Sequence, residues 1–154
     1  MPLSHIEHFL VQTASIEKTR DWYVRVLGMQ VGPNPDFKFP VCWLYLDGKD
    51  IVHLTEGGAN VSENRKKYVG QESQATHGTG VVDHIAFRAT GLPQMLEHLR
   101  ALGVDFKQRQ VDDQGLYQLF MHDPNGIKIE LNYANAEATG LRPELLASEL
   151  SGTS

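Results

Sequence analysis

The feature that most constrains this chain is internal repetition, because its second half restates its first at an almost constant offset. His84 follows His8 by 84 − 8 = 76 residues, Gly103 follows Gly28 by 103 − 28 = 75, and Glu130 follows His53 by 130 − 53 = 77. Three matches in the same order, drifting by one residue, mark two copies of one supersecondary unit. The local patterns agree. Residues 6–11 alternate like a strand, and Ser15 is a natural N-cap for a helix whose stripe is Ile16, Thr19, Tyr23, Val26 and Leu27, closed by Gly28. Residues 41–46 and 50–55 read as strands joined by Asp47-Gly48, a strong hairpin signal.

The second copy follows the same plan. Residues 81–88 (VVDHIAFR) are strand-like, and Pro93 suits the first turn of a helix carrying Leu92, Met95, Leu96, Leu99 and Leu102 up to Gly103. Strands at about 116–121 and 127–133 flank the turn Asp123-Pro124-Asn125-Gly126. Each module therefore reads as strand, helix and three strands. The expected fold is α+β: paired βαβββ modules, about 5–56 and 81–133, form a curved, barrel-like mixed sheet with helices outside. They make one domain over 1–133, joined by a polar linker at 57–80. A tail at 134–154 carries Leu141, Leu145, Leu146 and Leu150 as a short helix that docks or frays.

Strand parity says where the chemistry points, since alternate side chains face opposite sides of a sheet. Phe9 and Val11, Val52 and Leu54, Ile85 and Phe87, and Ile129, Leu131 and Tyr133 form the layer under the helices. That leaves His8, His53, His84 and Glu130 on the other face, looking into the hollow of the sheet. Three imidazoles and a carboxylate converging there would be costly to bury unpaired, and a divalent cation removes that cost. Two His and one carboxylate with open positions suit non-haem Fe(II), and equally Zn, Ni, Co or Mn. His5, His77 and His98 read as loop or solvent-facing residues, and Glu7 and Glu56 as surface charges out of phase with the ligands.

The bulk numbers exclude several classes. A net charge of −5 without a Lys/Arg cluster argues against nucleic acid and anionic membranes as partners. No apolar run approaches the roughly 18 residues of a membrane span. The start MPLSHIEHFL lacks the build of a signal peptide, and the single Cys42 cannot form an internal disulfide, so the expected compartment is the cytoplasm.

These residues resemble a known family. The stretch HFLVQTASIEKTRDWYVRVLG is similar to the opening module of the glyoxalase / bleomycin-resistance / extradiol-dioxygenase (vicinal oxygen chelate) superfamily. There a ligand His lies fifteen residues before the aromatic of an F/W-Y pair and twenty before a Leu-Gly glycine; here 23 − 8 = 15 and 28 − 8 = 20. DHIAFRAT resembles the second ligand strand, and HDPNGIKIEL the D-P-x-G-x-x-x-E signature ending on the last ligand. The resemblance implies one divalent metal ion, with Fe(II) favoured, held by His8, His84 and Glu130. It also implies a small substrate that chelates the ion through two adjacent oxygens. The ligand set leans to a ring-cleaving dioxygenase, with a glyoxalase I-like isomerase or lyase beside it. A non-catalytic binder of an antibiotic or metabolite is the reading from another class. Two departures stand out: His53 replaces the Glu that glyoxalase I relatives use as a fourth ligand, and Phe120 stands where ring-cleaving enzymes place a Tyr. His53, Tyr117 and His122 are the candidate proton-transfer groups, and Arg88, Lys128 and Trp43 the candidate substrate contacts. His53 is expected beside the ion without ligating it. Open half-sheets and their edges point to a homodimer.

Overall fold

A computed structural model describes residues 2–149. The chain divides into two compact units, Met1–Gly78 and Thr79–Ser154. The first contains β1 (Phe9–Thr13), α1 (Ile16–Leu27), β2 (Gln30–Gly32), β3 (Val41–Leu46), β4 (Lys49–Glu56) and α2 (Glu63–Val69). The second contains β5 (His84–Arg88), α3 (Leu92–Leu102), β6 (Lys107–Val111), β7 (Leu116–His122), β8 (Lys128–Ala134) and a two-residue β9 (Leu145–Leu146). Among the described residues no helix is long and apolar enough to cross a membrane.

The repeat read from the sequence is a repeat of topology. The first sheet runs β1-β4-β3-β2 and the second β5-β8-β7-β6-β9. In each, the first strand lies parallel to the last long strand of its module, β4 or β8, and the others pair antiparallel, except that β9 lies parallel to β6. Registers coincide: Leu10 faces His53 in the first ladder, and Ala86 faces Glu130 in the second. Trp43 lies across from His53, just as Phe120 lies across from Glu130. These pairs put His53 and Glu130 at equivalent positions, as subtraction predicts.

Local chemistry explains the elements. The Ser15 side chain accepts from the Lys18 amide, and Gly28 closes α1 in the left-handed region. In the β3–β4 hairpin Asp47 and Gly48 have φ of 51° and 75°, the paired positive angles of a two-residue type I′ turn. Behind the second sheet, Leu92, Leu96 and Leu99 of α3 are buried with Tyr117, Leu119, Met121, Ile129, Leu131 and Tyr133. Each fully buried leucine contributes roughly 1.5–3 kcal/mol.

Four expectations change. Pairing of β1 begins only at Phe9, so His8 stands one residue before the strand. Pairing of β5 begins at His84, leaving residues 81–83 outside it. The segment expected as a linker contains α2 and belongs to the first unit. The tail is not a helix: Leu145 and Leu146 pair with Arg109 and Gln110 of β6, while Leu150 lies outside the described residues.

Candidate metal and substrate site

In the first unit three rings form a stack. His53 lies 3.9 Å from Trp43 at 7° and 3.8 Å from His8 at 14°, centroid to centroid. His53 is 8% exposed, and its Nε2 lies 2.6 Å from Oδ2 of Asp50. Parity alone would place Asp50 on the opposite face. The ladder is in register at Leu44↔Val52 but shifts to Tyr45↔Asp50, leaving Ile51 as an extra residue. This bulge turns Asp50 onto the face of His53. The hydrogen bond from His53 holds the Asp50 carboxyl below its ordinary range. Nδ1 of His8 is itself 3.0 Å from Oε1 of Glu7.

An imidazole binds a metal in its own ring plane, and two planes stacked 3.8 Å apart share no nearby point. As arranged, His8 and His53 do not serve one ion together. Beside the stack lies a cavity of about 270 Å³, walled mainly by Phe37, Phe39, Val41, Trp43 and Tyr68. Tyr68 comes from α2, which no apolar period announces, and its ring lies 4.9 Å from that of Phe37. The α2 segment is tied down by Arg65, which is 2% exposed and donates through Nη2 to Oε1 of Gln12 (2.8 Å) and through Nη1 to the Gly70 carbonyl.

In the second unit His84 Nε2 lies 3.4 Å from Glu130 Oε1. The other carboxylate oxygen accepts from Asn132 Nδ2 at 2.7 Å. Nδ1 of His84 is 2.8 Å from Asp83 Oδ2, which also accepts from Lys128 Nζ at 2.9 Å. His84 first, and then Lys128, hold the Asp83 carboxyl below its ordinary range. Two donors at about 2.1 Å from an ion and at right angles would be about 3 Å apart, so His84 and Glu130 are spaced as neighbouring ligands. The carboxylate–imidazole pair recurs between the units, Glu7–His8 and Asp83–His84, with 83 − 7 = 76. Engaging Nδ1 leaves Nε2 as the ligating atom, the usual support for a metal-binding histidine. The donor chemistry therefore fits a divalent cation. Within either unit, among the described residues, no three His, Cys, Asp or Glu side chains form a metal-holding group by themselves.

The remaining candidates separate. Lys128 and Arg88 lie on the Glu130 face, opposite His84 and Asn132 respectively. His122 is exposed at the end of β7 on that same face. Tyr117 does not belong there. It pairs with Tyr133 in the buried layer, donates to Gln108 Oε1 at 2.8 Å, and burial raises its hydroxyl above the ordinary range. Its odd position puts it with Leu119 and Met121, opposite Phe120, so it is no proton donor toward Glu130.

Two βαβββ modules with matched imidazole and carboxylate positions define a vicinal oxygen chelate fold. The chain belongs to the Glyoxalase/Bleomycin resistance protein/Dioxygenase superfamily, whose family profile matches residues 5–131. It is 26% identical over 132 residues to Glyoxylase I 4 of Arabidopsis thaliana, covering 84% of this chain and 70% of that protein. Among solved structures, an integron cassette protein from the mobile metagenome of V. cholerae superposes with a TM-score of 0.62 at 21% identity, covering 86% of this chain and 97% of the other. The fosfomycin resistance protein FosX of Listeria monocytogenes gives 0.62 at 16%, covering 88% and 98%. Lactoylglutathione lyase of Agrobacterium tumefaciens gives 0.60 at 14%, also covering 88% and 98%. At these identities the structures speak for the fold alone.

Proposed function

We propose that this protein is a divalent-metal-dependent enzyme whose ion is held by His8, His84 and Glu130, with His53 as the proton-transfer group. The substrate is a small molecule that offers the ion two adjacent oxygens. The observation that carries the reading is the setting of His53: buried, flattened between Trp43 and His8, and fixed by Asp50 through one ring nitrogen. An imidazole oriented by a carboxylate is the arrangement used for general acid–base catalysis. When bound, the ion would supply Lewis acidity toward the substrate oxygens or electron exchange with O₂. His53 would take a proton from the substrate, and Asp50 would stabilise the imidazolium that results.

For the reaction, Fe(II)-dependent ring cleavage of a catechol-like substrate is the first reading. A planar aromatic substrate suits the cavity formed by Phe37, Phe39, Trp43 and Tyr68, and three protein ligands leave a six-coordinate ion three open positions. A glyoxalase-like isomerase or lyase is the second, favoured by the His53–Asp50 pair, which suffices for proton transfer without O₂. The assembly we propose is a homodimer.

The deciding experiment reconstitutes metal-free protein anaerobically with Fe(II), or with Ni, Co or Zn. Oxygen uptake with a catechol panel on the iron form supports ring cleavage. Turnover of a glutathione hemithioacetal with Ni, Co or Zn, and no oxygen uptake, supports the isomerase. Failure of every form to turn over either class, with tight binding of an unaltered ligand by metal-free protein, would make it a binding protein instead.

A further inference from the structure

The face of the second sheet that carries Glu130 has a property the ligand set does not use. Register places Lys107 opposite Phe120, Arg109 opposite Gln118, and Lys128 opposite His122. Lys107, Arg109 and Lys128 thus share one side of the sheet with Glu130. With His122 and Phe120 they line a cleft of about 500 Å³ in which Asp105 is the one acidic side chain.

Arg109 is held in a particular way. Its guanidinium carbon lies 4.6 Å from the centre of the Phe120 ring. Among the described residues no carboxylate oxygen comes within 4.0 Å of Arg109 or Lys107. A guanidinium resting on an aromatic face keeps its N–H fork free at the edge, and much of its rotamer entropy is already spent before a ligand arrives. The same Phe120 ring stands edge-on to His84, 6.3 Å between centroids. One aromatic side chain therefore touches both the cation cluster and a proposed metal ligand.

We infer that Lys107, Arg109 and Lys128, arranged around Phe120, form a subsite for an oxyanion group of the substrate, a carboxylate or a phosphoryl group. Arg109 supplies the bidentate fork, Lys107 a second and mobile charge, and Lys128 a third that is shared with Asp83. This deepens the proposed function and rests on it for the word substrate: the molecule would carry an anionic group besides its metal-chelating oxygens. The cleft itself needs no metal to bind an anion, which makes the two ideas separable. A solvated lysine pair would give no preference for one arginine, whereas a built site depends on the fork.

The test uses the full chain, stripped of metal with a chelator, and follows the arginine Nε–Hε resonances by NMR during titration with benzoate and with inorganic phosphate. The expected result is a saturable shift of the Arg109 resonance with at least one probe, weakening as salt is raised. Arg109→Gln should weaken that probe's binding at least tenfold and Lys107→Gln by a smaller factor, with Arg25→Gln on α1 as a control that changes nothing. Arg109→Lys, which keeps the charge and loses the fork, should fall between wild type and Gln. A stronger response to benzoate assigns a carboxylate, and a stronger one to phosphate a phosphoryl group. No saturable shift with either probe, or equal affinity in Arg109→Gln, overturns the inference. Metal content is measured on the same variants. If Arg109→Gln loads metal normally but has lost the anion, both readings stand. If His84→Ala and Glu130→Ala still load metal while the anion binds, only the metal assignment fails.

Discussion

Tyr133 sits on β8 beyond Glu130, with its side chain on the opposite, buried face. Its hydroxyl is wholly inaccessible and has no hydrogen-bond partner among the described residues. An unpartnered buried hydroxyl costs about 1–3 kcal/mol. Tyr133→Phe removes that oxygen and leaves the ring, so it should raise stability at pH 7 by about 1 kcal/mol after a small packing loss. Alkaline pH amplifies the effect. Burial, and secondarily Glu137, push the Tyr133 hydroxyl from 10.0 up to about 12. The folded state keeps the proton where the unfolded chain has released it. The stabilising difference is therefore complete below pH 10 and is lost as pH rises toward 12. At 1.36 kcal/mol per unit, two units correspond to roughly 2–3 kcal/mol. Urea denaturation of wild type and Tyr133→Phe, followed by far-UV circular dichroism between pH 7 and about 11.5, measures this. The stability gap between variant and wild type should widen above pH 10, with Tyr117→Phe as the companion at a second buried tyrosine of the same sheet. Parallel alkaline losses in the two proteins, or a variant less stable at pH 7, would refute the reasoning.

At the site, Asp50→Asn should lower kcat by about 10- to 100-fold, the worth of one charge-assisted hydrogen bond of ~1.5–3 kcal/mol, while metal content by elemental analysis stays unchanged. His84→Ala and Glu130→Ala should each lose most of the metal affinity, with far-UV circular dichroism preserved. The His53 bond depresses Asp50 below its ordinary 3.8, so its contribution is present above that pH and is lost as pH falls through the lower folded-state value. Thermal melts of wild type and Asp50→Asn should accordingly differ at pH 6 and converge toward pH 2. Tyr68→Ala should raise KM for an aromatic substrate several-fold with little change in kcat, because the ring walls the cavity without touching His53 in the ring stack.

Much of the fold is legible in the sequence because its two signals are periodic. The leucine spacing of α3, the Ser15 and Gly28 caps and the Asp47-Gly48 turn each follow from local rules, and the offset of about 76 residues fixes how they repeat. Parity also sorts His53 and Glu130 from the buried layer correctly. It fails where the strand itself is irregular. Asp50 reaches His53 only because the bulge at Ile51 adds a residue, and no composition marks a bulge. The same irregularity explains the late start of β1. Its ladder begins at Phe9↔Val52, and the next position toward the N-terminus would face Ile51. In the second unit the ladder ends at His84↔Lys128, just short of the Asp123–Gly126 turn. Tyr117 departs from expectation for a different reason: it lies close to the signature turn in sequence, but its odd position places it with Leu119 and Met121 in the buried layer. The Arg109–Phe120 contact joins neighbouring strands at diagonal positions, a relation visible only after register is known.

The buried guanidinium of Arg65 bears on how such a protein can change its substrate. Residues 57–78 supply one wall of the aromatic cavity, yet they pair with neither sheet. Their attachment runs through a few hydrogen bonds: Gln12 of β1 receives Arg65 and donates to the carbonyls of Ser73 and Ala75, the Gly57 and Ser62 amides donate to the Thr13 carbonyl and to Glu56 Oε1, and Asn64 donates to the Lys38 carbonyl. A segment held this way can be lengthened, shortened or exchanged between its anchors without disturbing a ladder hydrogen bond, provided those at Gln12, Thr13, Glu56 and Lys38 are kept. Selection, or a protein engineer, could thus rewrite the cavity wall while His53, Asp50 and the histidine beside them stay in place. The join between the repeats is the part of the chain where specificity is cheapest to alter.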